Sequence, residues 1–190
     1  MEKRFKVFLF RHGQTFYNRD SKFTGWTDSK LSNTGKEDAQ IVAIRLKDKK
    51  IGIAFHTSLS RSKDTLKEVL RHHKNVRLIE DDRMIERSYG DLCGKTHLDV
   101  VKKFGVKKYD YWHRSFSGRP PKGESFADVE KRVKSFISDL KELIKKEKVN
   151  IAISAHGNSI RLFRKIMEKA SEEEACKWSI PYDAVFEYEF

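Results

Sequence analysis

Two histidines stand out because each follows a short apolar run and is itself followed by a glycine. His12 comes after the run FKVFLF and Arg11, and His156 comes after VNIAISA. Arg61 lies a few residues beyond a third apolar run, IGIAF. Phosphoryl transfer needs an in-line nucleophile and cations on the phosphate oxygens, and an imidazole among planar guanidinium groups meets both needs. These residues indicate transfer of a phosphoryl group through a covalent phosphohistidine at His12.

The leaving alkoxide also needs a proton, and Glu86 is the candidate general acid if it lies in a site of low dielectric. His156, if protonated, would add a third cationic donor to Arg11 and Arg61. Taken singly, these residues have ordinary alternatives, since Arg-His-Gly is a weak motif and an isolated glutamate usually lies at the surface. The sequence contains no carboxylate cluster of the magnesium type and no Cys/His set of the zinc type, so we expect no metal.

Short apolar runs alternate with amphipathic stretches along the chain, which is typical of an α/β domain. Strands are predicted at 5–10, 51–55, 76–79, 149–154 and 185–190. Apolar residues recur at helical spacing around 39–46, 66–70, 126–144 and 162–167, whereas 86–122 is predicted to be irregular. We therefore expect one domain over residues 1–190, a three-layer α/β/α sandwich with a mostly parallel central sheet.

The strands predict where the chemistry lies, because ligands of open α/β sheets bind beyond the carboxyl ends of the strands. If the strands at 5–10, 51–55 and 149–154 are neighbours, Arg11, His12, Arg61 and His156 meet at one edge of the sheet. That edge would be an anion site that contains two imidazoles.

Composition narrows the class of partner. The 190 residues are 38% hydrophobic and carry 40 Lys and Arg against 28 Asp and Glu, a formal charge of +12 that attracts anions. A basic binding protein without activity is a remote alternative, but the basic residues alternate with acidic ones and the aromatic residues form no stacking motif. We expect no nucleic-acid or membrane partner. With two isolated cysteines and no apolar run of signal or membrane-span length, the predicted location is the cytoplasm.

Four separated motifs, in order, carry a resemblance to a known family. They are Arg11-His12-Gly13-Gln14-Thr15 with Asn18, Thr57-Ser58-Leu59-Ser60-Arg61, Glu86-Arg87-Ser88-Tyr89-Gly90 and Ala155-His156-Gly157-Asn158-Ser159-Ile160-Arg161. Together with Phe23-Thr24-Gly25-Trp26, these motifs resemble those of the histidine phosphatase superfamily, in particular those of its cofactor-dependent phosphoglycerate mutases. The resemblance covers nearly the whole chain.

The resemblance implies a role for each matching residue. His12 would accept the phosphoryl group, Glu86 would carry the proton, and Arg11, Arg61 and His156 would complete the catalytic set. The implied substrate-binding residues are Asn18, Thr15, Thr24, Gly25, Arg87, Tyr89, His97, His113, Arg114, Gly157 and Asn158. In the mutases, 2,3-bisphosphoglycerate primes the histidine. A small phosphorylated substrate is implied, and a homo-oligomer is compatible with the sequence.

The choice between mutase and phosphatase depends on what attacks the phosphohistidine. A phosphoglycerate hydroxyl gives a mutase and water gives a phosphatase. The stretch from Trp112 to Phe116 resembles the segment in which mutases carry two adjacent arginines, but here His113 precedes Arg114, and His97 stands where mutases carry a lysine. We expect interconversion of 3-phosphoglycerate and 2-phosphoglycerate, with a metal-independent phosphomonoesterase of small phosphorylated metabolites as the alternative.

Overall fold

A five-stranded sheet forms the centre of the protein, whose computed structural model describes residues 4–190. The strands are β1 (Lys6–Arg11), β2 (Ile53–His56), β3 (Arg77–Glu80), β4 (Ile151–Ala155) and β5 (Val185–Glu189). Their order is β3-β2-β4-β1-β5. β4 pairs in parallel with both β1 and β2, β3 is parallel to β2, and β5 runs antiparallel to β1. The expected mostly parallel sheet is confirmed.

Helices cover both faces of this sheet. They are α1 (Phe16–Arg19), α2 (Asn33–Leu46), α3 (Ser60–Val69), α4 (His97–Phe104), α5 (Val106–Arg114), α6 (Phe126–Glu147), α7 (Gly157–Glu168) and α8 (Glu172–Lys177). A capping box begins α6. The Ser125 hydroxyl accepts from the Asp128 backbone N–H, and the Asp128 carboxylate accepts from the Ser125 backbone N–H. None of the helices within residues 4–190 is long and apolar enough to cross a membrane.

Alternate residues of β1 belong to two separate cores, as the two-residue period of a strand requires. Val7 and Leu9 pack with the apolar stripe of α6, whereas Phe8 and Phe10 pack with apolar residues of α2 and α3. Because both faces are buried, the strand reads as a continuous apolar run in the sequence. The expected three-layer α/β/α sandwich is confirmed.

The prediction that 86–122 is irregular was wrong for its middle part, where His97–Phe104 and Val106–Arg114 form α4 and α5. Thr96 caps α4 by accepting from the Asp99 backbone, and Gly105, with a φ of 81°, separates the two helices. Their few apolar residues pack in a third hydrophobic cluster that includes Phe23, Tyr89 and Trp112. Because residues from distant parts of the chain complete this cluster, the apolar periodicity within the two helices is too weak to predict them.

Candidate active site

The carboxyl ends of the three adjacent strands β2, β4 and β1 bring the two histidine motifs together. Arg11 pairs with Ala155 across the sheet, and the His12 backbone N–H donates to the Ala155 carbonyl at 3.0 Å. The rings of His12 and His156 consequently lie with their centroids 5.0 Å apart. The sequence predicted that the two histidines would meet if these strands were neighbours. The strand order β2-β4-β1 meets that condition.

His12 is arranged as a neutral nucleophile. Its Nδ1 lies 2.8 Å from the carbonyl oxygen of Gly13, which can only accept, so Nδ1 carries the proton and Nε2 keeps its lone pair. Burial, reinforced by the charges of Arg61 and Arg11, holds the pKa of His12 well below its usual value of 6.5. The imidazole is therefore neutral at pH 7, the state that attack on phosphorus requires.

Arg61 is fixed against this nucleophile. Its Nε donates to His12 Nε2 at 3.3 Å, while Nη1 and Nη2 donate to the carbonyls of Thr27 at 3.0 Å and Gly25 at 2.7 Å. The side chain is only 1% exposed, and this burial lowers the pKa of Arg61 to about 10, which leaves it cationic at pH 7. A phosphoryl group bonded to His12 Nε2 would therefore lie beside the Arg61 guanidinium, which is already held in place by these hydrogen bonds.

His156 differs from the expectation that it adds a third positive charge. Its Nε2 is hydrogen-bonded to the hydroxyl of Thr57 at 2.8 Å. Burial first, and then the charge of Arg61, lower the pKa of His156 well below 6.5, so the ring is neutral at pH 7. Within residues 4–190 its buried Nδ1 has no hydrogen-bond partner. It can take part in hydrogen bonding to a phosphate oxygen, but the site's positive charge comes from the arginines.

The carboxyl group of Glu86 lies against the first turn of α7, the helix that follows His156. Its Oε1 accepts from the backbone N–H groups of Arg87 at 2.7 Å and Asn158 at 3.1 Å. Its other oxygen, Oε2, lies 3.6 Å from where a Cβ on Gly157 would stand. Trp26 donates to the Glu86 carbonyl at 2.7 Å and fixes the segment. A carboxyl group with one oxygen fully engaged and the other beside the cleft suits proton transfer.

A cleft of about 310 Å³ opens beside these groups. The expected site residues that line it are Arg11, Asn18, Thr24, Glu86, Tyr89, His97, His113, Arg114, Gly157 and Asn158. His12, Arg61 and His156 are buried next to Arg11, at the end of the cleft where Glu86 lies. Lining residues that sequence reasoning missed are Ser21, Lys22, Phe23, Arg161, Ser179, Ile180 and Tyr182.

Three expected substrate-binding residues, Thr15, Gly25 and Arg87, lie outside the lining. Thr15 caps α1 and its N–H and hydroxyl both donate to Asn18 Oδ1, at 3.0 and 2.9 Å. Gly25 contributes its carbonyl to Arg61, as described above. Their buried positions place these residues behind lining or catalytic groups, and a direct contact of any of them with substrate stays a prediction.

Arg87 is also a support. Its guanidinium lies 4.6 Å from the ring centroid of Tyr89 and 4.4 Å from that of Phe126, and Nη2 donates to the Trp112 carbonyl at 3.0 Å. The side chain is completely buried. It ties the end of α5 to the segment that carries Glu86.

The other end of the cleft holds two further guanidinium groups. Arg161 donates to Asn158 Oδ1 at 2.7 Å, and burial together with the charge of Arg114 lowers the pKa of Arg161 to about 10. Arg161 therefore remains cationic at pH 7. Arg161 was within reach of sequence reasoning, since it lies one helical turn beyond Gly157 in the second histidine motif.

The two imidazoles at this end are close neighbours, with the ring centroids of His97 and His113 5.0 Å apart. Burial, and next the charge of Arg114, lower the pKa of His113 to about 2 and also lower that of His97. At neutral pH this end therefore combines charged guanidinium groups with uncharged imidazoles. Its positive charge comes from Arg114 and Arg161.

Among the described residues, no three His, Cys, Asp or Glu side chains are grouped to hold a metal ion. The expectation of metal-free chemistry stays a prediction.

The comparisons with known proteins agree with this geometry. Residues 7–190 match the family model described as "Histidine phosphatase superfamily (branch 1)". A 2,3-bisphosphoglycerate-dependent phosphoglycerate mutase from Cytophaga hutchinsonii is 35% identical over 96% of this chain and 86% of its own length.

Solved structures of both kinds of enzyme share the fold. An alpha-ribazole phosphatase from Shigella flexneri superposes with a TM-score of 0.84, at 23% identity over 96% of this chain and 89% of that one. A phosphoglycerate mutase from Bacillus anthracis superposes with a TM-score of 0.81, at 21% identity over 99% of this chain and 88% of that one. The match to the family model, the mutase relative and the paired histidines beside buried arginines lead to one conclusion: the chain is an enzyme of the histidine phosphatase superfamily, branch 1.

Proposed function

We propose that this enzyme is a phosphoglycerate mutase, which interconverts 3-phosphoglycerate and 2-phosphoglycerate through a phosphohistidine at Nε2 of His12. One observation carries the proposal: the cleft lined by Arg11 and Glu86, the neighbours of His12, is also lined by Arg114 and Arg161. A phosphoglycerate carries two anionic groups and needs both ends, whereas a simple phosphate ester needs only the first. The name of the 35% identical relative supports the same choice.

The residues divide the chemistry between them. Glu86 takes the proton from a hydroxyl of 3-phosphoglycerate as that oxygen attacks phosphorus, and the electron pair of the breaking N–P bond returns to His12 Nε2. His12 then takes the phosphoryl group from the neighbouring oxygen, and Glu86 returns the proton to the alkoxide that leaves. Arg11 and Arg61 stabilise the equatorial oxygens in both transfers. The result is 2-phosphoglycerate and a rephosphorylated enzyme.

The priming compound of the mutases also fits the site. Buried polar atoms without a hydrogen-bond partner among the described residues include Arg11 Nε, Thr24 Oγ1 and His156 Nδ1. With Arg114 and Arg161 at the other end, these residues would hold 2,3-bisphosphoglycerate, which supplies the first phosphoryl group. We also propose that the enzyme works in the cytoplasm, where its unpaired cysteines would stay reduced.

One observation favours the second candidate, a phosphatase of small phosphorylated metabolites. His97 and His113 are neutral where a mutase would have cations, so the second anionic group is held by fewer charges. A weakly held acceptor leaves the phosphohistidine open to water.

The decisive experiment supplies purified enzyme with 3-phosphoglycerate and a trace of 2,3-bisphosphoglycerate. We expect 2-phosphoglycerate as the main product, a phosphoenzyme that survives alkali but not acid, and loss of both in His12→Ala. Inorganic phosphate as the main product would establish the phosphatase instead. Full turnover in His12→Ala would show that the wrong nucleophile was assigned.

A further inference from the structure

The end of α8 and the segment that follows it fix three arginines of the cleft. The backbone carbonyls of Cys176, Trp178 and Ile180 accept, in turn, from Arg114 at 3.2 Å, Arg161 at 2.8 Å and Arg11 at 3.0 Å. Cys176 belongs to the last turn of α8, and Trp178 and Ile180 lie between α8 and β5. We call residues 176–182 the C-terminal strap. It orients cationic groups at both ends of the cleft.

One side chain of the strap also reaches the phosphoryl end. The ring centroid of Tyr182 lies 4.1 Å from Arg11 Cζ and 6.5 Å from the ring centroid of His12. A guanidinium at this distance from an aromatic face is held by a cation–π interaction. Arg11 is therefore fixed by two residues of the strap, through the Ile180 carbonyl and the Tyr182 ring.

Residues other than Tyr182 hold the strap in place. Ile180 is 2% exposed in the main core, and Asp183 forms an ion pair with Arg45 at 3.0 Å. Arg161 holds the strap from the α7 side through the Trp178 carbonyl. The half-buried ring lies against Arg11 and lines the cleft, so its contacts are with the site.

We propose that Tyr182 is a positioning residue, which holds Arg11 on the transferred phosphoryl group and keeps water from the phosphohistidine. On this proposal, which rests on the proposed function, the ring sets the ratio of transfer to hydrolysis. No motif of the sequence pointed to this residue, because its contact partner lies 171 positions earlier in the chain.

The two competing reactions differ only in the attacking oxygen. In hydrolysis, a water oxygen bonds to phosphorus, the N–P bond breaks with its electron pair returning to His12 Nε2, and Glu86 takes the water proton. Inorganic phosphate leaves and the enzyme returns to its unphosphorylated state. In transfer, a substrate hydroxyl takes the place of water. A ring that excludes water without blocking the end of the cleft with Arg114 and Arg161 slows only the first reaction.

The test compares Tyr182→Phe, Tyr182→Leu and Tyr182→Ala in the full-length enzyme. Phosphoenzyme is formed with 2,3-bisphosphoglycerate, freed of excess ligand, and its decay in buffer is followed by acid-labile phosphate. The ratio of inorganic phosphate to 2-phosphoglycerate is then measured during turnover of 3-phosphoglycerate. The control is Tyr188→Ala, which removes another half-buried tyrosine of the C-terminal segment that stacks on Phe163 and lies outside the cleft.

We expect Tyr182→Phe to keep the wild-type phosphoenzyme lifetime, since it keeps the aromatic face. Tyr182→Leu and Tyr182→Ala should shorten the lifetime and raise the ratio of hydrolysis to transfer several-fold, because water then reaches the phosphohistidine while the second anionic group of the substrate is still held. Tyr188→Ala should leave both quantities unchanged, even if its midpoint of thermal unfolding falls.

Wild-type lifetimes and ratios in both Tyr182→Leu and Tyr182→Ala would overturn the proposal. So would a Tyr182→Phe variant that behaves like Tyr182→Ala, since the hydroxyl rather than the ring would then be responsible. Failure of the mutase proposal is recognised separately: wild-type enzyme would release only inorganic phosphate, and the decay of its phosphohistidine would still report on Tyr182.

Discussion

Acid should destabilise this protein through its two buried active-site histidines. Both His12 and His156 have folded-state pKa values well below 6.5, because burial and the nearby arginines oppose a further positive charge. In the unfolded chain each titrates near 6.5. The stabilisation from keeping them neutral is therefore complete above pH 6.5 and is lost as the pH falls below that value towards the folded-state pKa.

The magnitude follows from proton binding alone. Between pH 7.5 and 5.5, an unfolded-state histidine takes up most of one proton while the folded-state ring stays neutral. Each histidine then lowers the free energy of unfolding by about 1 kcal/mol, and the pair lowers it by roughly 2–3 kcal/mol. That is a large part of the roughly 5–15 kcal/mol that stabilises a domain.

Urea unfolding at pH 7.5 and pH 5.5 measures this difference for wild type, His12→Gln and His156→Gln. Each variant should lose about 1 kcal/mol less than wild type between the two pH values, whatever its stability at pH 7.5. The control is Gln40→Ala, because Gln40 is exposed and does not titrate, so its substitution should leave the pH difference unchanged. Equal pH differences in wild type and both active-site variants would refute the assignment of neutral, buried imidazoles.

Three further substitutions test particular contacts. Glu86→Gln keeps an acceptor for both backbone N–H groups but cannot give a proton, so kcat should fall about 100-fold or more for alkyl phosphates and much less for an aryl phosphate. Equal losses of kcat on both substrates would show that Glu86 does not transfer the proton. Thr57→Val should lower the free energy of unfolding by about 1–3 kcal/mol in urea because it strips His156 Nε2 of its partner, whereas Thr57→Ser should stay near wild type; the reverse order would contradict the hydrogen bond. Gly90→Ala should cost more than about 2 kcal/mol, since φ is +52° and the new Cβ would lie 2.0 Å from the Pro121 carbonyl oxygen; an unchanged thermal midpoint would contradict that backbone conformation.

The central sheet and the helix α6 were predictable because their information is local. The apolar run that forms β1 and the apolar stripe of α6 each appear in a short window of sequence, and both are confirmed. The α4–α5 pair was missed because its burial depends on Phe23 and Tyr89, which lie outside that window.

The sequence by itself determined which chemistry is available: His12, Arg61 and Glu86 lie in motifs whose residue types and order indicate phosphoryl transfer, and residue type alone limits what each can do. Only the tertiary structure decided the states and positions of these groups. Burial beside Arg61 makes His156 neutral, packing between two rings turns Arg87 into a support, and the strap brings Tyr182 onto Arg11. The physical reason is that desolvation and Coulomb interactions depend on distance in space, which residues far apart along the chain acquire only when it folds.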